Sequence, residues 1–122
     1  IFGYKGFVHY HCAPCIDDYL STLDPKAPKG VLFETIAQHI DSEIHRNYRL
    51  YPNNYIALDE LRGTDHSDKY TTADKQTFDK YLAGQLQKID LPNKDEAFLH
   101  ERMLTMYANP AINFAKANGL PE

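Results

Sequence analysis

The sequence predicts a mainly α fold, about five helices with one N-terminal β-strand, and three observations carry that reading. Apolar residues recur at three- and four-residue steps over 31–48, 73–88 and 94–107, the repeat that lines one face of a helix. Only 5–12 alternates with period two, as a strand does. Proline, glycine and asparagine collect between these stretches, where a helix has a reason to stop.

Taken in order, 5–12 places Phe7, His9 and His11 on one face and Val8, Tyr10 and Cys12 on the other, so a strand is expected there, ended by Pro14. A lone strand leaves its edge groups unsatisfied. It is therefore expected to pair with a sheet missing from this chain or with a second copy of it. Residues 16–23 suit one or two helical turns, with Asp17 and Asp18 near the positive end of the dipole. The two prolines and closing glycine of 24–30 make a loop. The helix over 31–48 is expected to bury Leu32, Phe33, Ile36, Ala37, Ile40, Ile44 and Tyr48, leaving Glu34, Gln38, Asp41, Ser42, Glu43 and Arg46 to solvent.

At 47–55 the chain turns a corner. Pro52 cannot donate a backbone hydrogen bond and biases Tyr51 away from helical angles, so the long helix stops before it. Asn53 and Asn54 are candidate caps for the next helix, and Tyr48, Tyr51 and Tyr55 bring rings able to pack the corner. A short helix over 55–61 should follow, closed by a left-handed Gly63, and then an exposed loop over 64–70. Thr71 with Asp74 forms a capping box for the helix over 73–88. Asn93 is the expected cap of the helix over 94–107, and Pro110 is expected to open a terminal turn that fades by Gly119.

At 122 residues the chain has the length of one domain, read as strand and loop over 1–30 and helical over 31–122. Its 43% apolar and 25% charged residues are those of an ordinary folded protein. With 13 basic and 17 acidic residues and no basic run, nucleic acid is not an expected partner. There is no apolar run of bilayer length, and the two cysteines are too few for a disulfide framework, so a cytoplasmic location is expected. The opening Ile1-Phe2-Gly3-Tyr4 reads as mid-protein sequence, which suggests a segment of a longer chain.

Chemistry has few places to reside. Cys12 and Cys15 form a C-x-x-C between a strand and a helix, which resembles the thioredoxin site, but that fold needs further strands after the motif. His9, His11, Cys12 and Cys15 are all ligand types for zinc, yet strand alternation turns Cys12 away from both histidines. His39, His45 and His100 sit beside acidic neighbours, pairs worth about 0.2–0.5 kcal/mol on a helix surface. No G-x-S-x-G, glycine-rich phosphate loop or H-E-x-x-H occurs. No catalytic, cofactor-binding or metal-binding residue is assigned.

Several pieces nevertheless form a set: Gly6-Phe7-Val8-His9-Tyr10-His11, Ala13-Pro14, the run from Tyr48 to Ala57, Asp68-Lys69-Tyr70-Thr71, and Met106-Tyr107-Ala108-Asn109-Pro110. Together they resemble the C-terminal part of the 1-acyl-glycerol-3-phosphate acyltransferase-like proteins of the Bacteroides group. The family signature lies in Arg49, Tyr51, Pro52, Asn53, Asn54 and Tyr55. On this resemblance the first piece is the last strand of a catalytic sheet, and the C-x-x-C is incidental. The resemblance also implies a His-x4-Asp motif, in which the histidine takes the glycerol hydroxyl proton and the aspartate orients the ring. Five positions beyond the six histidines stand Pro14, Ile16, Ile44, Leu50, Thr71 and Thr105, so this chain lacks the motif and is expected to be inactive alone. The implied partners are an upstream catalytic domain, acyl-CoA or acyl-carrier protein, and lysophosphatidic acid. Peripheral contact with the inner membrane face and a homodimer are compatible with it. A C-x-x-C thiol-redox protein and a non-catalytic helical interaction module are the alternatives.

Overall fold

A computed structural model describes residues 6–120. They contain five α-helices: α1 (Asp17–Leu20), α2 (Lys29–Arg46), α3 (Pro52–Arg62), α4 (Thr72–Gln87) and α5 (Glu96–Asn118), with a 3-10 turn at Ser67–Lys69. The mainly helical expectation holds. Two compact units, Ile1–Arg49 and Leu50–Glu122, divide the chain.

In unit one the expected strand is not seen among the described residues. Residues 6–15 have no regular secondary structure, and Lys5 lies outside the described residues. Alternation gives a strand its faces but not its hydrogen bonds; without a ladder partner among the described residues, the pattern alone does not make one. The short turn α1 meets α2 through Tyr19 and His39, whose rings stack with centroids 3.7 Å apart and planes 7° from parallel. Helix α2 starts directly after Pro28, and Asn47 closes it by donating from Nδ2 to the Glu43 carbonyl at 2.8 Å. The helix is where periodicity put it, but none of its residues is buried; Phe33 is 67% exposed and Ile44 50%.

Unit two holds the hydrophobic core. Ile56, Ala57 and Leu58 of α3 pack with Phe78 and Leu82 of α4 and with Leu104, Ala108 and Ala111 of α5. Helix α3 lies mainly on α5, where Ala57, Ala108 and Ala111 let the two backbones approach closely. Phe78 and Leu82 are each 1% exposed, and such burial stabilises by about 1.5–3 kcal/mol per side chain. The Phe78 ring meets Tyr107 edge-on at 5.1 Å.

Helix α4 begins as expected: Thr71 Oγ1 accepts from the Asp74 amide at 3.1 Å and the Asp74 carboxylate accepts from the Thr71 amide at 2.8 Å. Lys94 donates to the Leu86 carbonyl at 3.1 Å, placing a cation at the negative end of the same helix. Lys75 pairs with Glu60, tying α4 to α3.

Two expectations about α5 are corrected. Asp95, not Asn93, is its cap, accepting from the Phe98 amide at 3.0 Å, while Asn93 takes a positive φ of 56° in the preceding break. Pro110 opens no turn, because α5 runs through it to Asn118 and ends at Gly119, which has a φ of 64°. An internal proline costs about 3 kcal/mol. That cost is offset by the buried alanines on either side, Ala108, Ala111 and Ala115, strong helix formers, of which Ala108 and Ala111 also join the core shared with α3.

Candidate functional site

Arg49 closes unit one, and the rest of the signature, Tyr51 to Tyr55, opens unit two. Helix α3 starts earlier than the sequence suggests. Pro52 is its first residue and extended Tyr51 its cap, because proline at this position has a suitable φ and lacks only an amide that would go unused. Asn54 is therefore not the cap but lies three residues inside. Its Oδ1 accepts from the Tyr51 amide at 2.8 Å, and its own amide donates to the Tyr51 carbonyl at 2.9 Å. The other end of the same side chain donates from Nδ2 to the Tyr107 carbonyl in α5 at 2.9 Å. One asparagine thus fixes both the entry of α3 and its docking on α5, and Asn53 beside it is exposed.

Five residues beyond Asn54, α3 carries a polar centre that sequence reasoning did not find. The Asp59 carboxylate accepts from the Thr64 hydroxyl at 2.8 Å, the His66 amide at 2.8 Å and the Tyr70 hydroxyl at 2.9 Å. His66 Nδ1 lies 2.6 Å from Oδ1 of the same carboxylate, with the imidazole ring 5.6 Å from that of Tyr55. Gly63, at a φ of 68°, reverses the chain so that these donors come back over the helix end. The segment expected to be a loop over 64–70 is thus held in place around its 3-10 turn.

The electrostatics follow from this geometry. Burial alone would raise the Asp59 pKa, but hydrogen bonds from His66, Thr64 and Tyr70 outweigh it and hold the carboxyl below its ordinary range. The same bond to Asp59, with some burial, raises the Tyr70 phenol. At neutral pH the centre is an ionised carboxylate ringed by donors, which offsets its unfavourable place in the last turn of a helix. A carboxylate bonded to Nδ1 orients an imidazole with Nε2 as acceptor, the arrangement of a general base. Among the described residues, however, no hydroxyl or thiol is hydrogen-bonded to that nitrogen, so the pair has no nucleophile to activate. The one signal in the sequence was an aspartate near a helix C-terminus, where charge alone disfavours it, just before Gly63.

Elsewhere, Tyr107 donates to Tyr81 at 3.0 Å, and burial first and this bond second push its phenol up to about 12. Cys12 and Cys15 are free and exposed; the helix that follows them, α1, has four residues, and the described residues contain no sheet for a thioredoxin-type site to sit on. No helix among the described residues is long and apolar enough to cross a membrane. The chain matches no family model, no curated protein and no solved structure.

Proposed function

We propose that this chain is the helical C-terminal region of a glycerophospholipid-type acyltransferase, a scaffold segment without catalytic residues of its own. The parent protein would transfer an acyl group from acyl-CoA or acyl-carrier protein to 1-acyl-glycerol-3-phosphate, at the cytoplasmic side of the inner membrane. The segment's partner is then the upstream catalytic domain. The observation that carries this reading is the Asn54 to Tyr107 hydrogen bond, which joins two of the separate pieces on which the resemblance rests. A third piece is tied in by Tyr70, bonded to Asp59 of α3. Residues that mark the family and also hold one helical core together fit a structural role better than a chemical one.

The Asp59–His66 pair does not replace the missing motif. It runs aspartate before histidine, and three other hydrogen bonds occupy its carboxylate. An acyl-transfer assay with lysophosphatidic acid tests the proposal in two arms. The isolated chain should give no turnover above the no-protein rate, and the complete gene product should give acyl transfer. Turnover by the isolated chain would overturn the scaffold role, and an inactive complete product would overturn the acyltransferase assignment.

A further inference from the structure

We propose that an exposed apolar seam on α2 docks one amphipathic helix of another protein, a helix with lysine or arginine along both edges of its apolar stripe. Phe33, Ala37, Ile40 and Ile44 follow one another at steps of four, three and four residues, the repeat by which one helix packs along another. All four are exposed, Phe33 at 67%, Ile44 at 50% and Ile40 at 43%. Another side of α2 is covered. His39 stacks on Tyr19 of α1, and Leu32 and Ile36 on that side of the helix are half-buried. The seam lies on the next face round and stays open. It runs for three turns, about 17 Å, and is narrow, so it fits a single helix, whereas packing on a sheet takes a broader apolar face.

Charge selects the occupant. Glu34 and Asp41 line one edge of the seam, both exposed and neither in an ion pair among the described residues; Glu34 accepts only from Gln38, at 3.3 Å. On the opposite edge Glu43 is paired with Arg46 at 2.5 Å. A second copy answers these carboxylates badly. Laid antiparallel, it sets Glu34 against the other copy's Asp41, twice; laid parallel, it gives Glu34 a lysine, Lys29, but sets Asp41 against apolar Ile36. An anionic lipid surface is repelled by the same two acids. The apolar stripes of α3, α4 and α5 are engaged with one another. A helix edged with lysine or arginine pairs with Glu34 and Asp41 together while its stripe covers the seam. The inference rests on α2 alone and does not depend on the acyltransferase reading.

Titration of the full chain with two synthetic peptides tests this. Each has three heptads with leucine at both stripe positions, and the edges carry lysine in one and glutamate in the other. The lysine peptide should bind one to one, about tenfold more tightly than the glutamate peptide. Glu34→Lys combined with Asp41→Lys should reverse that preference, and Ile40→Asp should abolish binding of either peptide. Because these side chains are exposed and lie outside the hydrophobic core, far-UV circular dichroism should show the variants folded. Equal binding of the two peptides, or binding of neither, would overturn the proposal. A concentration-dependent dimer in sedimentation that Ile40→Asp dissolves would do so too, by making a second copy the occupant. Binding to phosphatidylglycerol vesicles that the same variant loses would make it a membrane, and slow α2 hydrogen exchange in the complete gene product would place the seam against its own chain; either result would likewise overturn the proposal.

Discussion

Helices α2 and α5 carry apolar repeats of similar clarity, yet they end in different surroundings. On α5 the stripe through Leu104, Ala108 and Ala111 is buried in a cluster with α3 and α4, whereas on α2 Phe33, Ile40 and Ile44 are exposed. A repeat of three and four residues states that a helix needs a covered face; it does not supply the cover. In unit two, three elements bring matching faces and hydrogen-bonding side chains to one place. Among the described residues of unit one, α2 meets the four-residue α1 through the Tyr19–His39 stack.

The sharpest way to break this contrast is through the core. Phe78→Ala should destabilise the chain by about 3–5 kcal/mol, since it empties a site that is 1% exposed; a smaller loss in denaturant unfolding would mean that the cluster is looser than its geometry. Asp59→Asn comes next, at about 1–3 kcal/mol, because it weakens acceptors for Thr64, His66 and Tyr70 together. The variant also carries a pH signature. A carboxyl whose folded pKa is depressed contributes fully above the unfolded value, and the contribution is lost as pH falls through the folded value. Acid unfolding below the ordinary carboxyl range should therefore be less steep in Asp59→Asn than in the parent, and equal slopes would remove Asp59 from the account.

Smaller effects sharpen the comparison. Asn54→Ala should lower stability by about 1 kcal/mol, through loss of the Tyr51 cap and the bond to the Tyr107 carbonyl. An unchanged melting temperature would count against the scaffold role of the signature. Phe33→Ala on α2 should change stability by no more than about 0.5 kcal/mol, although it deletes the same ring as Phe78→Ala. A loss comparable to that at Phe78 would mean that the α2 face is covered in solution.

What the sequence made legible was local. The Thr71 box, the left-handed Gly63 and the helical spans of α2 and α4 depend on residues a few positions apart and are found where the sequence puts them, whereas the apolar face expected to be covered on α2 is not buried. The misses involve partners that lie far along the chain or are lacking. Pro110 looked like a terminator because the packing of Ala108 and Ala111 on α3 is not a local property. The alternation at 5–12 promised a strand that its described residues do not form without a ladder. Asn53 and Asn54 looked equivalent as caps, and only the Tyr107 carbonyl, 53 positions on, shows why one is half-buried and the other exposed. Asp59 was unmarked for the same reason, since its donors are gathered by the reversal at Gly63.

Native-state hydrogen exchange tests the central claim, that the stability of this chain resides in the core of α3, α4 and α5, most directly. The amides of Leu58, Leu82 and Ala108 should exchange only through global unfolding, with one common free energy. Those of Ile40 and Ile44 in α2 should exchange through openings that take much less free energy. Equal protection of α2 and α5 would contradict the account.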